Sequence, residues 1–231
     1  MTSLRRFIAK PFRFVQMDEY LSRDQAKVLD VGCGNHSPRR TKKYYPNCRY
    51  FGLDRSVDYG LEQMDFDLME RFYHIDLKDL GALDELPDGF FDCIIVSHVI
   101  EHLDNGEAVV LRLCDKLAPG GGIYIESPSP HSVRLPHMSG TLNFYDDPTH
   151  VRLYDLHALR QVLISKGLTV RKAGIRRDWR GIVLIPYNAL VSLVRSRKLV
   201  GSVFWDLFGF SSYIVATRPE QPGAQAEARV S

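Results

Sequence analysis

The 231-residue sequence has no run of about 18 uncharged apolar residues, so no membrane-spanning helix is expected. Cysteine is scarce. Cys33, Cys48, Cys93 and Cys114 are spread out without a C-x-x-C pair, and three of them adjoin apolar runs. Buried thiols in a reducing cytoplasm fit that pattern better than a disulfide framework or a thiol metal site. Charge of one sign is also missing. Thirty Lys and Arg balance 28 Asp and Glu, a formal charge of +2, which gives no electrostatic case for nucleic acid. The start carries early charge but only a short apolar stretch before Lys10, so no signal peptide is expected. Two nucleotide-binding spellings are absent as well: G-x-x-x-x-G-K-[ST], and the third glycine of G-x-G-x-x-G, whose place after Gly32 and Gly34 is taken by Ser37.

The content that remains is that of one soluble domain: 45 % hydrophobic and 25 % charged residues. A chain of this length buries about 70 % of its unfolded surface and needs no metal or disulfide staple. Residues 4–22 predict two short helical pieces around Pro11, lying against the domain as a lid over residues 1–25. Five short apolar runs follow: Lys27–Val31, Arg49–Asp54, Phe72–Asp76, Phe90–Val96 and Gly121–Glu126. Their apolarity is continuous rather than alternating, which suits strands covered on both faces. Helical spacing marks 104–117, with Asp104 as cap and Pro119-Gly120 as stop, and 155–166, with Gly167 at its end. Ser37-Pro38 reads as another helix start. Strands alternating with helices predict an α/β fold, a doubly wound and mostly parallel sheet. The Pro/Gln/Ala/Glu-rich tail, 218–231, is expected to be disordered.

In such sheets ligands bind beyond the carboxyl ends of the strands. The first strand ends in Asp30-Val31-Gly32-Cys33-Gly34, a turn where the backbone can approach a ligand closely. The second ends in Asp54, placed to accept both hydrogen bonds of a ribose diol. The third ends in Asp76, placed to take the amino hydrogens of an adenine.

Val28–Gly34, Phe51–Asp54, Asp76, the run Phe91–Leu103 and Leu117–Gly122 together resemble the ordered motifs of the class I S-adenosylmethionine-dependent methyltransferases, over residues 26–178. The resemblance implies a seven-stranded sheet whose antiparallel last strand is Ser211–Thr217. It implies S-adenosylmethionine as cofactor, with Gly32, Cys33 and Gly34 under its methionine part and Asp30 organising that loop. It assigns Asp54 to the ribose, Asp76 to the adenine, and Ser97 and His98 to the place beside the reacting sulfonium. His36 departs from the pattern, since many members carry a third glycine there.

His98-Val99-Ile100-Glu101-His102 also spells H-x-x-E-H, the spelling of a zinc peptidase class. Two histidines at i and i+4 of a helix could hold zinc. The same letters are common after the fourth strand in methyltransferases, so no metal is assigned.

The acceptor loop is expected at 127–154. Its polar run Asn143–Tyr154 resembles a D-P-T-H-x-R stretch of methyltransferases associated with envelope polysaccharide and glycolipid assembly. There His150 is the candidate general base for a hydroxyl, Arg152 the residue that orients an anionic or sugar acceptor, and Asp146 and Asp147 ligands for sugar hydroxyls or, in a lesser alternative, a divalent cation. The competing structural reading has Asp147 capping a turn and Arg152 paired with Asp146. An apolar insertion, 181–210, is interrupted by Arg195, Arg197 and Lys198. Core, a dimer contact, and a membrane surface or lipid-linked acceptor remain open for it.

The expected function is O-methylation of a saccharide or related small molecule. The alternatives are N- or C-methylation of a small metabolite, and a cofactor-binding scaffold without turnover. Methylation of DNA or RNA is disfavoured, because Ser97-His98-Val99-Ile100 stands where amino-methylating enzymes carry Asn/Asp-Pro-Pro-aromatic.

Overall fold

The structure, a computed structural model, describes residues 10–220. Pro11 fixes the backbone before α1 (Phe12–Gln16), and α2 (Asp18–Leu21) follows directly. Phe14, Met17, Tyr20 and Leu21 from this pair are buried against the sheet together with Tyr45, Tyr50 and Tyr124. The two helical pieces expected before residue 25 are therefore integral to the core on one face. Residues 1–9 of the expected lid lie outside the described residues.

The apolar runs are β1 (Lys27–Val31), β2 (Arg49–Asp54), β3 (Arg71–His74), β4 (Phe91–Ser97) and β5 (Leu117–Pro128). Between them lie α3 (Ser37–Tyr44), α4 (Gln63–Phe66) and α5 (Gly106–Lys116). The chain continues through α6 (Leu156–Ser165), β6 (Thr169–Ile175), α7 (Trp179–Val183), α8 (Ile185–Ser196), α9 (Trp205–Phe208) and β7 (Ser211–Thr217). Strand order is β3-β2-β1-β4-β5-β7-β6. Strands β1 to β5 pair in parallel, and β7 is antiparallel to both β5 and β6. The strand order reverses between β1 and β4, which opens a crevice at their carboxyl ends.

Three local expectations need correction. Helix α5 starts at Gly106 with Asn105 before it, and Asp104 does not cap it. The Asn105 amide reaches instead to the carbonyls of Leu77 and Lys78. Ser37 is the first residue of α3, because its hydroxyl is drawn away to Asp30. In the tail, Arg218 is ordered: its N–H donates to the Gly121 carbonyl, and its side chain reaches the Leu117 carbonyl. Residues 221–231 lie outside the described residues.

The four cysteines are free and buried. Among the described residues no helix is long and apolar enough to cross a membrane. Helices α7 and α8 carry a stripe of Trp179, Val183, Tyr187, Leu190 and Val194, each between 60 % and 75 % exposed. The insertion is thus not core on this side.

Candidate active site

The crevice between β1 and β4 opens into two adjoining cavities of about 380 and 480 Å3, the size of small-molecule sites. Both are bounded by Gly32, His98, His102 and Asp147, so they form one cleft.

The smaller half is lined by Asp54 at the end of β2, Asp76 just beyond β3, and the apolar Leu53, Ile75, Leu77 and Val99. Asp54 braces the glycine turn while facing the cleft. Its Oδ2 accepts from Gly34 N–H at 3.2 Å and its Oδ1 from Ser56 N–H at 3.1 Å. Asp76 Oδ1 accepts from Lys78 N–H at 3.0 Å. Each carboxylate keeps acceptor positions for a ligand.

The turn between β1 and α3 is held by the same neighbours. The N–H groups of Gly32 and Cys33 both donate to the Leu53 carbonyl. Gly32 has φ +71°, and an added Cβ would lie 2.5 Å from Val99 Cγ2. A Cβ on Gly34 would lie 2.5 Å from the Tyr59 ring and 2.6 Å from the Tyr59 carbonyl. The backbone lies bare along the cleft because side chains do not fit there. Cys33 takes part through its backbone alone, since its side chain is fully buried against Gly52. Asp30 is buried, and its Oδ2 accepts from the Ser37 hydroxyl at 2.5 Å and the Tyr50 hydroxyl at 2.7 Å. Arg13, from α1, donates to Ser37 Oγ at 3.1 Å and borders the cavity beside Asp30. The S-adenosylmethionine implied by the resemblance fits across the two halves where they meet at Gly32 and Tyr59. Two acids stand for its nucleoside, apolar side chains for the base, and a bare glycine turn with Arg13 for the amino-acid end.

The larger half is lined by Ser97, His98, Glu101, Glu126, Arg176, Trp205 and Phe210, and by Thr141, Asp147 and His150 of the acceptor loop. His98, at φ 56°, leaves β4 in a left-handed turn. Its Nδ1 lies 3.1 Å from Glu101 Oε1 and its Nε2 3.3 Å from Glu126 Oε1. Burial alone would lower its pKa, but the two glutamates outweigh burial and raise it to about 9. Glu126 also accepts from the Tyr124 hydroxyl and, at 2.8 Å, from Arg176 Nη1. Burial would raise its pKa, yet the charges of Arg176 and His98 hold it well below the usual carboxylate range. Arg176 is in turn clamped by Asp206, at 2.8 Å from Nε. Trp205 stacks on Phe210 at 4.7 Å and forms an aromatic wall.

The acceptor loop returns to the segment after β4. Val151 and Arg152 N–H both donate to the Glu101 carbonyl, at 2.9 and 3.2 Å. This carries His150 to His102, with ring centroids 4.9 Å apart. His150 Nδ1 lies 2.7 Å from the Phe144 carbonyl. A carbonyl only accepts, so Nδ1 carries a proton, and in the neutral ring Nε2 is the nitrogen with the lone pair. Asp147 borders both halves, with its Oδ2 3.8 Å from His150 Nε2.

Two residues expected to bind acceptor are committed elsewhere. Asp146 accepts from the backbone N–H groups of Met138, Leu142 and Asn143 and pairs with His137 at 2.7 Å. Burial opposes ionisation, but these bonds lower its pKa to about 2. Asp146 is thus the knot of the loop. Arg152 donates to the Asp104 carbonyl and to Glu107 and lies over Tyr154, pinning the loop to the start of α5. It pairs with neither Asp146 nor the cavity. Sequence reasoning missed Glu126, Arg176, Trp205 and Arg13. Only the strand-end position of Glu126 signalled any of them.

Residues 4–173 match the family described as "Methyltransferase domain". The chain belongs to that family. An uncharacterized protein of Methanocaldococcus jannaschii is 29 % identical to this methyltransferase domain over 126 residues, 53 % of this chain and 32 % of that protein. The sterol 24-C-methyltransferase of Candida albicans is 31 % identical over 109 residues, 44 % of this chain and 28 % of that enzyme. The chain therefore spans about a third of the length of these curated relatives. Among solved structures, a SAM-dependent methyltransferase from Archaeoglobus fulgidus superposes with a TM-score of 0.58 at 21 % identity, covering 93 % of this chain and 94 % of that one. A phosphoethanolamine N-methyltransferase of Haemonchus contortus, in complex with S-adenosylhomocysteine, gives 0.62 at 16 % identity, covering 94 % and 56 %. These superpositions agree with the seven-stranded fold described above.

Proposed function

We propose that the protein is an S-adenosylmethionine-dependent methyltransferase that methylates a hydroxyl of a saccharide or related small molecule. The observation that supports the oxygen preference is the bond from His150 Nδ1 to the Phe144 carbonyl, which leaves Nε2 as the basic nitrogen of the neutral ring beside the cleft. An alcohol acceptor gains from a group that takes its proton, whereas a carboxylate acceptor needs none.

When bound, S-adenosylmethionine supplies a methyl group already activated on a sulfonium. The chain's own residues then do the rest. Asp54 and Asp76 accept hydrogen bonds from the ribose and the adenine. Asp30, through Ser37, keeps the glycine turn in its bound shape. His150 Nε2 takes the acceptor proton, with the Asp147 carboxylate 3.8 Å away. The aromatic wall of Trp205 and Phe210 suits the apolar face of a sugar ring and keeps water out.

The exposed stripe on α7 and α8 supports a second element of this reading, an approach to a lipid surface that presents the acceptor. Trp179 and Tyr187 stand among aliphatic residues, with exposed Arg177, Arg195, Arg197 and Lys198 at the ends. Apolar and aromatic residues flanked by cations complement an anionic interface. Sedimentation with vesicles rich in phosphatidylglycerol, but not with phosphatidylcholine vesicles, is expected, and its loss in Val183→Ser/Val194→Ser; no sedimentation with either lipid removes this element.

The function itself is tested with methyl-labelled S-adenosylmethionine and panels of hydroxyl, amine and carbon acceptors, with products read by mass spectrometry. Label on oxygen is expected. Label only on nitrogen or carbon contradicts the oxygen reading. Cofactor binding without transfer to any panel contradicts the enzyme reading.

A further inference from the structure

We propose that Glu101, His102 and His150 form a binding site for a divalent transition-metal ion on the wall shared by the two halves of the cleft. One ligand atom from each residue lies within 4.8 Å of the other two. Each residue has an atom left available for a reason visible in its surroundings.

Glu101 is fully buried. His98 engages its Oε1, but its Oε2 is buried with no hydrogen-bond partner. Native interiors rarely leave a carboxylate oxygen in that state, and an unplaced ion is one of the few explanations. His102 and His150 complete the set. The Nδ1 of His102 faces the Thr149 carbonyl at 3.1 Å and the Thr149 hydroxyl at 2.9 Å; that of His150 faces the Phe144 carbonyl at 2.7 Å. A backbone carbonyl on one ring nitrogen fixes the tautomer that turns the other into a metal ligand. The two chain segments are also pinned together before any ion arrives, by the bonds from Val151 and Arg152 to the Glu101 carbonyl.

A second group, His36, Glu62 and Asp65, shows the contrast. There the Arg39 guanidinium already supplies the positive charge, 2.8 Å from Asp65 and 2.9 Å from Glu62. At Glu101 the His98 imidazole engages Oε1 alone, and Oε2 is left buried without any hydrogen-bond partner. The histidine pair His98 and His102, suggested by the H-x-x-E-H spelling, is not the one the fold assembles. His98 is turned to Glu126, and His150 comes from 48 residues further on to take its place beside His102.

Two imidazole nitrogens and one carboxylate oxygen suit zinc, iron(II), cobalt(II) or manganese(II) better than calcium or magnesium, which prefer oxygen. Three protein ligands leave further positions open, and here they open on the cleft. A hydroxyl bound there would lose its proton more readily. That consequence rests on the oxygen-methylation reading; the binding of the ion does not. With an ion in place His150 would be a ligand instead of the base, and the Asp147 carboxylate beside it would be the group to receive the acceptor proton.

The test is a cobalt(II) titration of chelator-treated full-length protein, followed by calorimetry and by the visible absorption of the bound ion. One ion per chain is expected, bound at least about tenfold more weakly in His102→Ala and in His150→Ala, and unchanged in His36→Ala. His102 lies partly at the surface, so its variant is expected to keep the wild-type circular dichroism. Absence of stoichiometric binding overturns the site. So does binding that survives in both variants, or that is lost in His36→Ala. Adenosylhomocysteine binding and product analysis are read separately. Cobalt bound at this site without any O-methyl product leaves the ion site standing and contradicts the oxygen reading. O-methyl product without cobalt binding does the reverse.

Discussion

Nε2 of His98 lies 3.3 Å from Oε1 of Glu126, tying the turn after β4 to the end of β5 at the floor of the acceptor half. The pair has a pH signature. The His98 pKa is raised from 6.5 to about 9 in the folded protein. A raised folded value means that the stabilisation is fully present below the unfolded value and is lost as pH rises through the folded one. The thermal midpoint is expected to fall between about pH 6.5 and pH 9.5, and a His98→Gln variant to lose much of that slope. Differential scanning fluorimetry across the range checks this; identical slopes in the two proteins would contradict it.

Asp30→Ala would strand two buried hydroxyls, those of Ser37 and Tyr50. An unsatisfied buried group costs about 1–3 kcal/mol, so a loss of about 2–5 kcal/mol is expected on denaturant titration, together with weaker adenosylhomocysteine binding. Asp30→Asn keeps an acceptor oxygen and is expected to lose less.

Gly34→Ala would drive a methyl into the Tyr59 ring and into the Tyr59 carbonyl, and the carbonyl cannot yield without moving the loop. At least about tenfold weaker cofactor binding is expected, about 1.4 kcal/mol, with the global fold kept. Calorimetry and far-ultraviolet circular dichroism together check this.

His150→Ala and Asp146→Ala should fail differently. Loss of His150 is expected to slow turnover at least about tenfold while adenosylhomocysteine binds as before. Loss of Asp146 removes the acceptor of three backbone N–H groups, so the loop loosens. Limited proteolysis is expected to cut the Asp146→Ala protein within 135–150 and to spare the His150→Ala protein.

Strands β1, β2, β4 and β5 are legible because each is buried on both faces and so reads as one unbroken apolar run. Strand β6, Thr-Val-Arg-Lys-Ala-Gly-Ile, is mostly exposed at the sheet edge and carries no such signal. Asp54 is legible for the same reason as the strand it ends, whereas Asp76 follows the partly exposed β3 and is legible by its spacing, 22 residues after Asp54. Asp146 and Arg152 misled, because a polar loop residue near a site looks like a ligand whether its hydrogen bonds go to substrate or to backbone. The floor of the acceptor half was hidden by distance along the chain: Glu126 meets Arg176 across 50 residues and His98 across 28. No local pattern encodes such a meeting.

The account stands on Asp54 and Asp76 facing one nucleoside across the glycine turn. Calorimetric titration with adenosylhomocysteine tests that most directly. One molecule per chain is expected to bind wild-type protein, with affinity reduced at least about tenfold in Asp54→Ala, the worth of a charge-assisted hydrogen bond at about 1.5–3 kcal/mol. No heat of binding with the wild type, or equal affinity in the variant, would contradict it.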